Sequence, residues 1–188
     1  DFQKYKLNDA LKKVYSLIWD DFCDWYIELA KPANYGDKFD NERLNVALGM
    51  FEQLMKLLHP FMPFISEEIW QHIQERTSEE ALCISEWPEY AADKVSAEDV
   101  ALFESMQEMI SALRNIRSEM GVSPKKDIEV LIKSDNAEQI EANEWIIRKL
   151  QVIKSLFIAK DLKKPKACAS ALVGNDEIYV QMFGLVDV

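Results

Sequence analysis

The chain has 188 residues, 48% of them hydrophobic, with 22 Lys+Arg against 33 Asp+Glu for a formal net charge of −11. That apolar content is enough for one good core or two small ones and excludes a disordered tail, while the acidic balance excludes a nonspecific nucleic-acid binder. Cys23, Cys83 and Cys168 stand in no zinc-ligand spacing and no run of about 18 uncharged apolar residues marks a membrane span, so a reduced, cytoplasmic protein is expected.

Leu7, Leu11, Val14, Ile18, Phe22, Trp25 and Leu29 recur at steps of three and four, which predicts a long amphipathic helix ending near Lys31-Pro32. A loop through Asn34-Tyr35-Gly36-Asp37 follows. Leu44, Ala47, Leu48, Phe51, Leu54, Met55 and Leu58 stripe a second helix. It must stop at Pro60, which lacks an amide hydrogen, and Pro63 suits the first turn of a third helix reaching about Arg76. Glu67 and Glu68 place anions in that turn, where the helix dipole favours them. Residues 77–95 read as an extended connection. Val100, Phe103, Met106, Ile110, Leu113 and Ile116 mark a fourth helix, closed near Gly121. Four such helices predict a mainly α fold, a four-helix bundle over residues 1–121.

After Ser123-Pro124 the period changes. Ile128, Val130 and Ile132 alternate with polar or charged neighbours except at Leu131, as in a half-buried strand. A helix capped by Asn136 and running to Leu150 is expected to bury Ile140, Trp145, Ile146 and Leu150. Strands are expected around Phe157, over 169–173 and over 178–183, with a Gly174-Asn175-Asp176 turn between the last two. Residues 122–188 therefore read as a small α+β subdomain.

A search for chemistry finds neither a catalytic nor a metal site. His59 and His72 are the only histidines and have no partner at metal-ligand spacing. Glu67 and Glu68 are adjacent on a helix and point about 100° apart, so they do not converge. Gly121, Gly174 and Gly184 stand alone, without a phosphate-cradling loop. A binding module is the better class.

Unpaired RNA bases are stacked on aromatic rings and read at their edges by polar groups. The run WDDFCDWYIELAKP, residues 19–32, offers Trp25 and Tyr26 with Lys31 at the helix end. Trp25 also lies on the apolar stripe, and Lys31 also suits a helix C-terminus. Arg43 sits unfavourably near a helix start, which points to a ligand. Arg114 and Arg117 share a helix face, with Lys125 and Lys126 just beyond the turn. These four are candidates for phosphate contacts, or for cations drawn to a helix end. Through Ser118 there are 12 Lys+Arg against 22 Asp+Glu, a balance of −10, and after it 10 against 11. Any RNA contact is therefore a local patch. Lys154, Lys160, Lys163, Lys164 and Lys166 form a second basic tract that faces RNA or protects a sheet edge.

The run LLHPFMPFISEEIW, residues 57–70, resembles a signature of the class I aminoacyl-tRNA synthetases for branched aliphatic amino acids, most closely valyl-tRNA synthetase. FCDWY with its lysine-proline helix end, Arg114-Asn115 with IRSEMGVSPKK, and EIYVQMFGLVDV near the C-terminus are similar to the same family, in the same order. The resemblance implies an anticodon-binding domain that takes the anticodon stem-loop of tRNA(Val). The base expected to be read is the middle adenine, with the one after it, and Trp25, Tyr26, Lys31, Arg43, Arg114, Arg117, Lys125 and Lys126 are the contacts.

It further implies a monomeric valine–tRNA ligase as the full-length protein. ATP and Mg then belong to a catalytic domain outside this chain, which lacks HIGH-type and KMSKS-type signatures and holds no cofactor. An editing domain and a C-terminal coiled coil after Val188 are implied likewise, and the non-methionine start at Asp1 fits a fragment. Three alternatives remain: an isoleucyl- or leucyl-type synthetase domain, an acidic helical module that docks on a basic protein, and a purely structural bundle that acts as a spacer within a large enzyme.

Overall fold

The N-terminal apolar pattern closes into a helix that widens part-way. In the computed structural model, which describes residues 2–32 and 37–181, a 3₁₀ turn (Phe2–Lys4) precedes α1 (Leu7–Ser16). That helix continues without a break into a π-helical stretch (Leu17–Ile27) and a last turn, α2 (Glu28–Ala30). Bonding from i to i+5 puts more residues in each turn, so the core face advances by fours, through Val14, Ile18, Phe22 and Tyr26. Leu7 and Leu11 are left exposed.

Asp40 accepts from the Arg43 amide in a long 3.4 Å bond and caps α3 (Asn41–Leu58). At the Pro60 corner the Phe61 and Met62 amides both donate to the Leu58 carbonyl. Pro63 then opens α4 (Pro63–Ile73). Ser66 is fully buried beneath this corner. Its hydroxyl donates to the Met62 carbonyl at 2.7 Å and meets His59 Nδ1 at 2.8 Å, which gives His59 a structural role. Phe22, Leu54, Met55, Trp70 and Leu82 form the core of this unit. The Phe22 ring stacks between Tyr26 and Phe51, with centroids 5.5 and 5.7 Å away. Glu67 accepts from the Leu82 amide at 2.8 Å and ties the 3₁₀ turn Leu82–Ile84 to α4.

Residues 1–91 make this helical unit and residues 92–188 a second one. Ser96 accepts from the Asp99 amide and caps α5 (Ala97–Glu119). Gly121, at φ +65°, ends it in the left-handed conformation that glycine tolerates. The chain then runs through β1 (Ile128–Lys133), α6 (Ala137–Ala142), α7 (Glu144–Leu150), β2 (Ile153–Ala159), β3 (Cys168–Val173) and β4 (Asp176–Gln181). The sheet order is β2-β1-β4-β3. β1 and β2 are parallel, and α6 with α7 supplies the crossover such a pair requires. The other two pairings are antiparallel. Met106, Met109, Ile110 and Leu113 of α5 are fully buried, as are Ile132, Ile140, Ile147 and Ile178.

The expected four-helix bundle is not present. Its fourth helix, α5, packs on β3 and β4 and against α6 and α7. An apolar stripe reports that a face is buried and is silent on whether a helix or a sheet buries it. The architecture is thus a helical unit followed by an α+β unit whose sheet carries its own long helix. The two units divide between Ala91 and Ala92, whereas the period change placed the break after Gly121.

Smaller differences have local causes. The predicted 136–150 helix breaks at Asn143, which resets its phase. Trp145 is therefore 54% exposed and Ile147 is buried in its place. Asn136 makes no side-chain cap; instead Ser134 Oγ accepts from the Asn136 amide at 3.0 Å. The expected loop at Asn34-Tyr35-Gly36 and the end of the last strand at Phe183 lie outside the described residues. Among the described residues no helix is long and apolar enough to cross a membrane.

Candidate nucleic-acid interface

In the helical unit the π-helical stretch decides what the aromatic run presents. Tyr26 takes the core-facing position and spends one ring face on Phe22. Trp25, one residue earlier, is half-buried and has a partner within the chain. Lys31 follows the helix end, is exposed, and pairs with Glu28 one turn back. These three residues are gathered at the end of one helix. Arg43 is exposed in the first turn of α3. Sequence reasoning missed Tyr15, which stacks on Trp19 with centroids 6.3 Å apart while both rings are more than half exposed. The i,i+4 spacing of two aromatics is the signal that marks such a pair.

In the α+β unit Arg114 and Arg117 line one cleft of about 810 Å³. Their situations differ. Arg114 is exposed, whereas Arg117 is only 4% exposed. One guanidinium nitrogen of Arg117, Nη1, donates to the carbonyls of Ser123 and Lys126 at 2.9 and 2.8 Å. The other, Nη2, donates to the Val152 carbonyl at 2.6 Å. Arg117 therefore fastens the end of α5 to the following turn and to the chain entering β2. Burial pulls its pKa below the usual guanidinium value, and the Asp127 carboxylate opposes that pull. Its Nε is buried without a hydrogen-bond partner. Lys125 and Lys126 are exposed on the turn beside the cleft, where the Lys126 amide donates to Ser123.

Three residues of this cleft were not singled out from the sequence: Arg148, Lys149 and Gln151. The local signal was two cations at a helix end with a glutamine at the first extended position. The lysine-rich tract behaves differently. Lys154 pairs with Glu129 at 2.9 Å, Lys160 with Asp135 at 3.1 Å, and Lys164 bonds Ser170. Those lysines brace the sheet.

Among the described residues no group of three or more His, Cys, Asp or Glu side chains is placed to hold a metal ion. His72 bonds the Glu68 carbonyl at 2.7 Å. The described residues bring half-buried and exposed rings together at the first helix end and line a cleft at the end of α5 with Arg114 and Arg117.

The family model for the anticodon-binding domain of tRNA ligase matches residues 1–132. The chain belongs to that family. It is 35% identical to the valine–tRNA ligase of Fusobacterium nucleatum, over 98% of the chain and 22% of that protein. It is 36% identical to the valine–tRNA ligase of Geobacter sulfurreducens, over 99% of the chain and 22% of that protein. The corresponding figures for the Bacillus subtilis valine–tRNA ligase are 33%, 98% and 21%. The chain thus spans about a fifth of the length of the relatives it matches. Within the anticodon-binding family the match takes in the whole helical unit and all of α5.

Proposed function

We propose that this chain is the anticodon-reading part of a valine–tRNA ligase and holds the anticodon loop of tRNA(Val). The observation that carries the reading is the continuous similarity to valine–tRNA ligases over essentially the whole chain, joined to membership of the anticodon-binding family. In this reading Trp25, Tyr26 and Lys31 meet splayed loop bases at the end of the first helix, with Arg43 beside the α3 start. Arg114, Lys125 and Lys126 contact phosphates, and Arg117 positions the turn that carries the two lysines. A wrong base leaves a polar group of the site unpaired, at a cost of roughly 1–3 kcal/mol. Phosphate contacts fix the register and carry the salt dependence.

The full-length protein is then an ATP-dependent aminoacyl-tRNA synthetase, cytoplasmic and monomeric, whose catalytic and editing domains lie on the same polypeptide. ATP and Mg belong to that catalytic domain.

A filter-binding titration tests the reading. The chain is expected to bind a tRNA(Val) transcript more tightly than a tRNA(Ile) transcript, and Lys31→Ala is expected to weaken that binding several-fold. Equal binding of both transcripts, or preference for the isoleucine tRNA, would overturn the assignment to valine.

A further inference from the structure

The apolar spacing of the first helix fits two windings. Ile18, Phe22, Trp25 and Leu29 recur as an α-helix requires, with about 3.6 residues to a turn. In that winding Trp25 lies about 60° and Leu29 about 20° around the axis from Phe22. The structure instead carries Leu17–Ile27 as a π-helix of 11 residues, a conformation that proteins use mostly as single turns. With about 4.4 residues per turn, Trp25 and Leu29 both swing to roughly 110° from Phe22. The side chains that do pack on the core beside Phe22 are Ile18, Cys23, Tyr26 and Ile27. In the π winding all four fall within about 80° of Phe22, whereas in an α-helix Ile27 would stand about 140° away.

We propose that Leu17–Ile27 is a register switch. It exchanges between the observed π-helix and an α-helix in which Trp25 and Leu29 face the core while Ile27 turns away from it. Ile18 and Phe22 belong to both faces, and Phe22 keeps its stack on Phe51, 5.7 Å away, as the pivot. The carboxylates permit either form. Asp20, Asp24 and Glu28 stand about 120° or more from Phe22 in both windings, so neither form drives a charge inward. The Phe22–Tyr26 stack at 5.5 Å favours the π form, and regular i to i+4 bonding favours the α form. The windings differ by about 18° per residue, which turns the helix end by about 90° between Phe22 and Ile27. Lys31, whose amide donates to the Ile27 carbonyl at 3.0 Å, turns with it. The exchange belongs to the free chain; that it governs how Trp25 and Lys31 are presented to a loop rests on the anticodon reading.

The test uses the 188-residue chain with 5-fluorotryptophan at its five tryptophans, the Trp25 resonance being identified by its loss in Trp25→Phe. Helix register shifts run in microseconds to milliseconds. Trp25 is therefore expected to show fluorine relaxation dispersion, or a split resonance, from a second state populated at about 1–10%. Trp145, on α7 of the other unit, is expected to show none. Ile27→Lys sets a charge against the core only in the π form and is expected to raise the second population about tenfold or more. Leu29→Lys does so only in the α form and is expected to abolish the exchange. Absence of exchange at Trp25 in the wild-type chain overturns the proposal, as does exchange that Leu29→Lys leaves in place. Should Ile27→Lys fail to fold, those two outcomes still decide. A tRNA(Val) titration of the same sample separates the two readings. Exchange without tRNA binding overturns the anticodon reading alone, and tRNA binding without exchange overturns the switch alone.

Discussion

The Arg76 guanidinium lies 3.3 Å from the centroid of the Trp70 ring, and both side chains donate to the same carboxylate oxygen. Arg76 Nη2 and Trp70 Nε1 each reach Glu52 Oε1 at 2.9 Å. The cluster joins α3 to the end of α4, and the Arg76 side chain is almost wholly buried. Arg76→Ala strips Glu52 of one donor and uncovers the Trp70 ring, so a loss of roughly 2–4 kcal/mol is expected in urea denaturation. Arg76→Lys should recover less than half of it. An ammonium lacks the planar fork that lies on the indole while bonding the carboxylate.

Ser66 offers a second measure of how the hairpin is held. Its hydroxyl is completely enclosed at the Pro60–Pro63 corner, and it bridges the Met62 carbonyl and His59. Ser66→Ala removes both bonds without adding volume. A loss of about 1–3 kcal/mol is expected, read as a lower denaturation midpoint at unchanged m-value.

Much of this was legible from residue order alone. Pro60 and Pro63 marked the corner, Gly121 the end of α5, and the alternation of Ile128, Val130 and Ile132 the first strand, because each rests on a local backbone constraint. What failed was non-local. The stripe on α5 implied burial, and only the folded chain shows that a sheet provides it. The widening at Leu17–Ile27 was also hidden. No single residue there forbids a regular α-helix, yet the widening takes Trp25 off the expected stripe and puts Tyr26 on Phe22. At the site, cations could be counted in the sequence but their use could not. Arg114 and Arg117 looked equivalent three residues apart, and burial separates them into an exposed cation and a structural bracket.

A pH dependence is expected from the face of the sheet that carries Lys133, Glu177 and Tyr179. Lys133 donates to Glu177 at 2.6 Å, and the Tyr179 hydroxyl donates to the other carboxylate oxygen. The Lys133 bond first, and the Tyr179 bond second, hold the Glu177 pKa below its ordinary 4.5. Its contribution to stability is therefore present above that value and lost as pH falls through the depressed pKa. The bond to Glu177 raises Lys133 above 10.5 and Tyr179 above 10.0, so their contributions hold below those values and fade as pH rises through the shifted ones. Wild type should thus exceed Glu177→Gln in stability between these limits. The two denaturation midpoints should converge in the acid range below 4.5 and again in strong alkali. Parallel curves throughout would refute the coupling.

The last prediction concerns Arg117, whose three carbonyl acceptors come from Ser123, Lys126 and Val152. The Val152 carbonyl also accepts the Ile128 amide at 3.3 Å, so the guanidinium sits where the α5 turn, the start of β1 and the entry to β2 converge. Arg117→Met preserves the length of the stem and removes every donor. Buried carbonyls then lose their charged partner, at a cost of upwards of about 2 kcal/mol, and the effect should be local first. Hydrogen exchange is the discriminating measurement. Peptides covering residues 117–133 are expected to lose protection in the variant under conditions where those covering α3 and α4 do not. If Arg117 served only as an RNA contact, the substitution would instead weaken tRNA binding and leave exchange in the free protein as it was. The two roles therefore separate without RNA in the tube.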